Sequence, residues 1–177
     1  MKELRSPISK EDIQNLHPGD QVFLSGNIFT GRDAVLPKLV DLIKMDKLEE
    51  IKVDLEGSVI FHTAVSPAGV GPTSSNKLDI ESSISILSQA GVRLHLGKGK
   101  LKKETINALN IENSAYATLP PVTALLESKI IRREVVAFSE EGMEAMNRLF
   151  VERIPIIIVA VNGITIEDIV EKEKREE

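Results

Sequence analysis

Residues 154–161 read I-P-I-I-I-V-A-V, an almost continuous apolar run. A run of this kind is expected of a strand buried on both faces, as in a sheet covered by other layers. Working outward from it, the chain reads as short strands alternating with helices. Towards the N-terminus, 140–150 has a helical pattern with Ser139 as N-cap, and 134–138 reads as a strand. Pro120-Pro121 is a break, flanked by a short helix at 122–126 and strand-like residues 115–119. Residues 102–109 look helical, 92–96 form a short strand, and Gly91 is placed to close a helix over 78–89. Residues 58–63 read as a strand after a turn at Glu56-Gly57, and Ile51, Val53 and Leu55 alternate like one more. Val35, Leu36, Leu39, Val40, Leu42 and Ile43 recur at helical spacing, after a strand at 21–25 that ends in Gly26. This alternation predicts an α/β layered domain with a mixed sheet. No G-x-G-x-x-G follows the first strand, which argues against a dinucleotide fold. Residues 171–177, E-K-E-K-R-E-E, read as a solvated helix end or tail.

Composition narrows the function. The chain of 177 residues fits one domain, and 42% hydrophobic residues suffice for a core. The apolar runs fall far short of the roughly 18–20 residues of a membrane span. The first five residues show no apolar signal region, so a cytoplasmic protein is expected. A net charge of −5 and 3% aromatic residues argue against a nucleic-acid-binding surface. There is no cysteine, so no disulfide, thiol nucleophile or thiolate-held cluster belongs to this chain. The histidines His17, His62 and His95 lack zinc-site spacing. A metal taking part in the chemistry must therefore be held by another chain.

Three segments share one pattern: a strand ends, glycine lets the backbone turn, and a cation or hydroxyl follows. They are S-G-N-I-F-T-G-R-D at 25–33, G-V-G-P-T-S-S-N-K at 69–77, and G-K-G-K at 97–100. Strand-end loops of layered α/β domains favour ligands, and glycines with free N–H groups suit an anion. Each also has a plain alternative: a surface charge pair at Arg32-Asp33, an N-cap at 73–76, solvated lysines at 98 and 100. Thr73 is the hydroxyl of interest. It serves as a base only if a nearby cation such as Arg32 stabilises its alkoxide, or if a relay takes its proton. His62 and His95 are base candidates by chemistry, but each sits mid-strand in a largely apolar stretch and reads as a satisfied structural histidine.

At these segments the chain resembles the beta subunit, or C-terminal domain, of class I iron–sulfur fumarases and L-tartrate dehydratases. That family carries S-G-x-[IV]-[YF]-x-[AG]-R-D, matched at 25–33, and G-P-T-[TS]-x-x-[RK]-[ML]-D, matched at 71–79. It also carries a G-K-G-like loop, matched at 97–99, and E-x-G-M-E-A, matched at 140–145. The motifs keep the family's order over roughly residues 5–165. The resemblance implies a β/β/α swivelling domain over residues 1–165, followed by a charged tail at 166–177. It implies a [4Fe–4S] cluster held by an alpha partner and none bound by this chain. The assembly would be a hetero-oligomer such as two alpha with two beta, acting on a small dicarboxylate. By motif position, Arg32, Lys77, Lys98 and Gly71 would bind substrate, and Thr73, with Arg32 beside it, would take the carbon-bound proton. Two departures stand out. Lys77 replaces a usual arginine and loses its two-pronged grip, and Leu119-Pro120-Pro121-Val122 replaces a glycine-rich stretch. Fumarate hydratase is the leading expectation. L-tartrate dehydratase and a non-catalytic anion-binding or assembly module are the alternatives.

Overall fold

The computed structural model describes the backbone of residues 1–66, 69–73, 77–120 and 123–177. It describes the side chains of these except 66, 69–73, 77–80, 123 and 124. In chain order the elements are β1 (Lys2–Arg5), α1 (Lys10–Gln14), β2 (Gln21–Thr30), α2 (Leu36–Lys44), β3 (Val59–Phe61), β4 (Thr63–Ser66) and β5 (Gly69–Thr73). They continue with α3 (Lys77–Gln89), β6 (Leu94–Leu96), α4 (Lys103–Ile111), β7 (Ala115–Thr118), α5 (Thr123–Ser128) and β8 (Ile130–Ala137). Last come β9 (Met146–Val161), β10 (Ile164–Thr165) and α6 (Ile166–Glu176). Among the described residues an eight-stranded mixed sheet carries the fold, with β4 and β5 as a separate hairpin.

The sheet closes on itself. β2, β3, β6 and β7 pair in parallel, in that order. β9 then runs antiparallel to both β7 and β2, and its Ile157 is opposite Thr118 on one side and Gln21 on the other. Apolar residues from all five strands form one core, including Leu24, Phe61, Leu96, Ala117 and Ile156. Intervening residues face the helices: Ile60 packs with Leu36, Leu39 and Leu87, and Tyr116 with Ile84 and Leu109. Each fully buried leucine or isoleucine contributes roughly 1.5–3 kcal/mol. The layered α/β reading with a mixed sheet is thus the observed fold, as a closed ring of strands under a helix layer.

Four local expectations change. The strand beginning at Gln21 does not stop at Gly26 but runs on to Thr30. Gly26, at φ +105°, sits in a bulge opposite the Val151–Ile154 stretch, where Arg153 also has positive φ. A Cβ at Gly26 would lie 2.5 Å from Ser6 Oγ and 2.9 Å from the Ser6 carbonyl, so this glycine serves backbone approach. The expected helix at 140–150 is a 3-10 turn, Ser139–Glu144, followed by the start of β9. Ser139 does not cap it: the capping position is Phe138, in the left-handed region, without a side-chain bond. Gly142, at φ 58° and ψ −118°, breaks the helical run, and 146–151 instead pairs with β2 and β8. Residues 51–55 are irregular, although Val53 and Leu55 are buried. Within 154–161 only one face is fully buried, while Pro155, Ile157 and Val159 are half-buried, so the run is one-sided.

Other readings hold. α3 ends in a Schellman motif, with Val92 N–H donating to Leu87 O and Gly91 N–H to Ser88 O. α6 is opened by a capping box between Thr165 and Asp168 and is exposed throughout the charged run. No helix among the described residues is long and apolar enough to cross a membrane.

Candidate functional site

Parallel pairing brings the sequence motifs to one edge. Thr30, Phe61, Leu96 and Ala117 form one register row across β2, β3, β6 and β7. The next residues extend the ladder: Gly31 N–H donates to Phe61 O, His62 N–H to Leu96 O and Gly97 N–H to Ala117 O, each at 3.0 Å. Arg32, Thr63 and Lys98 therefore leave the carboxyl ends of adjacent strands together. β2 and β6 are two strand spacings, roughly 10 Å, apart. The second segment joins the same edge, because Thr73 at the end of β5 pairs with Thr63 at the start of β4. Gly71 also lies in β5, and Lys77 is the first residue of α3. The side chains of Thr73 and Lys77, and residues 74–76, lie outside the described residues.

Arg32 is held. Its Nε donates to Glu144 Oε1 at 2.6 Å, with both side chains about seven-tenths covered. Glu144 closes the 3-10 turn that carries the fourth motif, and Lys38 of α2 ties the same turn through Glu140 and Glu141. Sequence reading assigned Glu144 no role. It lies 112 positions from Arg32, and only the β2–β9 pairing brings the two together.

Lys98 is exposed, and among the described residues its ammonium has no carboxylate partner. Its backbone is fixed from below, since the Tyr116 hydroxyl donates to the Lys98 carbonyl at 3.1 Å. Burial, with Glu81 nearby as a lesser cause, pushes the phenol pKa up and keeps it a neutral donor. A Cβ at Gly97 would meet Tyr116 Oη at 2.4 Å, so only glycine fits over this ring. Gly97→Ala is therefore expected to lower stability by about 1–3 kcal/mol through overpacking. In a Tyr116→Phe background the clashing atom is gone, and the alanine penalty measured by urea unfolding should shrink.

Two buried histidines lie behind the edge. His62 Nε2 and His95 Nδ1 are 3.3 Å apart, and Ser88 Oγ lies 2.9 Å from His95 Nε2. A hydrogen bond between two imidazole nitrogens carries one proton, so the accepting ring is neutral, and burial disfavours a charge on the donor as well. His95 is satisfied at both nitrogens, as expected of a structural histidine. His62 is satisfied at one, and its buried Nδ1 has no partner among the described residues. Burial lowers the His62 pKa to about 4, and burial plus the neighbouring ring lowers that of His95.

No group of three or more His, Asp or Glu side chains suited to a metal occurs among the described residues. With no cysteine in the sequence, this donor set does not fit a thiolate-held cluster. Two open depressions among the described residues, of about 490 and 550 Å³, lie around Asn27 and Arg148, and neither is lined by Arg32 or Lys98.

A family model described as "Fumarase C-terminus" matches residues 2–166. The putative L(+)-tartrate dehydratase subunit beta of Methanocaldococcus jannaschii is 31% identical over 169 residues, covering 88% of this chain and 85% of that protein. The L(+)-tartrate dehydratase subunit beta of Escherichia coli K12 is 29% identical over 152 residues, covering 80% and 73%. A putative class I fumarate hydratase of Geobacillus stearothermophilus is 31% identical over 123 residues, covering 64% of this chain but 22% of that longer protein. A match over nearly the whole ring of strands, with its motif segments meeting at one edge, places this chain in the Fumarase C-terminus family.

Proposed function

We propose that this chain is the beta subunit of a [4Fe–4S] hydro-lyase interconverting fumarate and L-malate. The observation that carries the reading is the convergence of Arg32, Lys98 and the Thr63–Thr73 pair at one sheet edge. A four-carbon dicarboxylate needs two cationic ends and a proton acceptor between them. Arg32 binds one carboxylate and Lys98, with Lys77 at the start of α3, the other. Gly71 allows close backbone approach, and Thr73 takes the carbon-bound proton under the field of the cations. The beta naming of the relatives supports an alpha partner, in an assembly such as two alpha with two beta. That partner's thiolates would hold the cluster, which when bound supplies a Lewis acid for the substrate hydroxyl. Residues 1–165 would act as a swivelling domain over this partner in the cytoplasm, with 166–177 as an appended tail.

A second reading, L-tartrate dehydratase, is favoured by the printed names of the two relatives that cover most of the chain. It requires room for a second hydroxyl. The test is co-expression with the alpha chain, anaerobic cluster reconstitution, and assay on malate, fumarate and L-tartrate. Activity on malate and fumarate is expected only in the assembled protein. Faster turnover of tartrate favours the second reading, and turnover by the isolated, metal-free chain overturns both.

A further inference from the structure

The E-x-G-M-E-A motif takes no part in the chemistry proposed above, yet it is built onto Arg32. Its 3-10 turn, Ser139–Glu144, reverses at Gly142 and closes with Ala145 N–H donating to Gly142 O at 3.0 Å. Two residues on, buried Asn147 donates its N–H to Thr30 Oγ1 at 3.1 Å, fixing the turn to the end of β2. Lys38 fixes it to α2 through Glu140 at 3.0 Å and through Glu141. Both ends of the β2–α2 connection therefore hold the turn, and Glu144 reaches Arg32 from a rigid base.

We propose that Glu144 is a positioning residue that occupies the Nε edge of Arg32 and aims its two Nη groups at a substrate carboxylate. The inference rests on the reading of Arg32 as a substrate-binding residue. A guanidinium presents its donors as a planar fork, and fixing one edge fixes the direction of the other. The 2.6 Å Nε–Oε1 contact is a short charge-assisted bond on partly covered side chains, so it orients the group more firmly than a solvated pair. Among the described residues no acceptor meets the Nη groups. Taking Nε leaves the end-on fork open, which suits a carboxylate approaching from the sheet edge. A carboxylate that merely competed with substrate for Arg32 would produce the opposite kinetic sign.

The experiment uses the assembled, cluster-loaded enzyme. Its readouts are steady-state kinetics on L-malate and calorimetric binding of succinate, a four-carbon dicarboxylate with no hydroxyl to eliminate. Glu144→Ala should raise KM and the succinate Kd about tenfold, with a smaller change in kcat and an unaltered thermal midpoint. Glu144→Gln keeps an acceptor oxygen on Nε and should recover most of the loss. In an Arg32→Lys background, which has no Nε, Glu144→Ala should add little. Should the alanine variant not assemble, the glutamine variant and Glu144→Asp, expected to lie between parent and alanine, carry the comparison. Unchanged KM and Kd overturn the positioning role, and lowered values do so in favour of competition. A parent enzyme that neither binds succinate nor turns over malate overturns the functional reading along with it, whereas a normal parent with parent-like variants removes only Glu144.

Discussion

Thr73→Ala should lower kcat of the assembled enzyme by about 10²–10⁴, the usual loss on removing a general base. The motivation is position. Thr73 ends β5 directly across from Thr63, whose strand follows β3 at the edge where Arg32 and Lys98 emerge. A threonine hydroxyl gives up its proton only if its alkoxide is stabilised, and on the proposed reading Arg32 and Lys98 would supply that field. The capping alternative falls on residues 73–76, of which 74–76 and the Thr73 side chain lie outside the described residues. The described backbone also allows a cross-strand Thr–Thr pair, worth about 0.2–1 kcal/mol. Thr73→Ser keeps the oxygen and loses only the methyl that stiffens its rotamer, so it should retain much more activity than alanine. Parent-like kcat in the alanine variant would remove Thr73 from the chemistry. Parallel thermal melts make sure that a lost subunit is not mistaken for a lost base.

The strand–helix alternation was legible because its signals are local. Period-2 and period-3.6 patterns found β3, α2, α3, β6, α4 and β7, and Gly91 marked the end of α3. What escaped depended on partners far along the chain. Residues 146–150 look helical in isolation, but β2 on one side and β8 on the other supply strand partners that a local pattern does not reveal. Gly26 was read as a strand end because glycine signals both a stop and a bulge, and only the β9 partner distinguishes them. The closure of the sheet was likewise invisible, since it follows from Ile157 pairing on both edges. At the candidate site, Arg32 and Lys98 were picked by residue type beside glycine. Glu144 was not, because a glutamate in an acidic turn carries no mark of the arginine it will meet. The Tyr116 support beneath Lys98 escaped for the same reason: a tyrosine flanked by alanines reads only as core.

Lowering the pH from 7 to 5 should destabilise the isolated chain by about 2 kcal/mol through His62 alone. The cause is the buried pair behind the site edge. His62 and His95 are fully enclosed, share a hydrogen bond, and are neutral in the fold. Burial holds the His62 pKa at about 4 in the folded chain, against an ordinary value of 6.5. The sign follows from which state binds the proton. As pH falls below 6.5 the unfolded chain takes up a proton that the folded chain refuses until about pH 4, so stability falls with pH across that window. The full difference, once both states are protonated, is roughly 3 kcal/mol at about 1.4 kcal/mol per unit. His95 is shifted in the same direction, by burial first and by His62 second, and adds to the slope. Carboxylates with ordinary pKa values near about 4 titrate mainly below this range, so urea midpoints between pH 7 and 5 read chiefly the histidines. Replacing His62 by phenylalanine, a flat ring of similar outline, removes the titrating group. It leaves His95 Nδ1 without its imidazole partner but also removes the unpartnered His62 Nδ1, two effects of opposite sign at about 1–3 kcal/mol each. The slope is therefore the readout: His62→Phe should flatten the fall of the midpoint towards pH 5. An equally steep fall in the variant would place the acid sensitivity elsewhere in the chain and deny that His62 is held neutral by the fold.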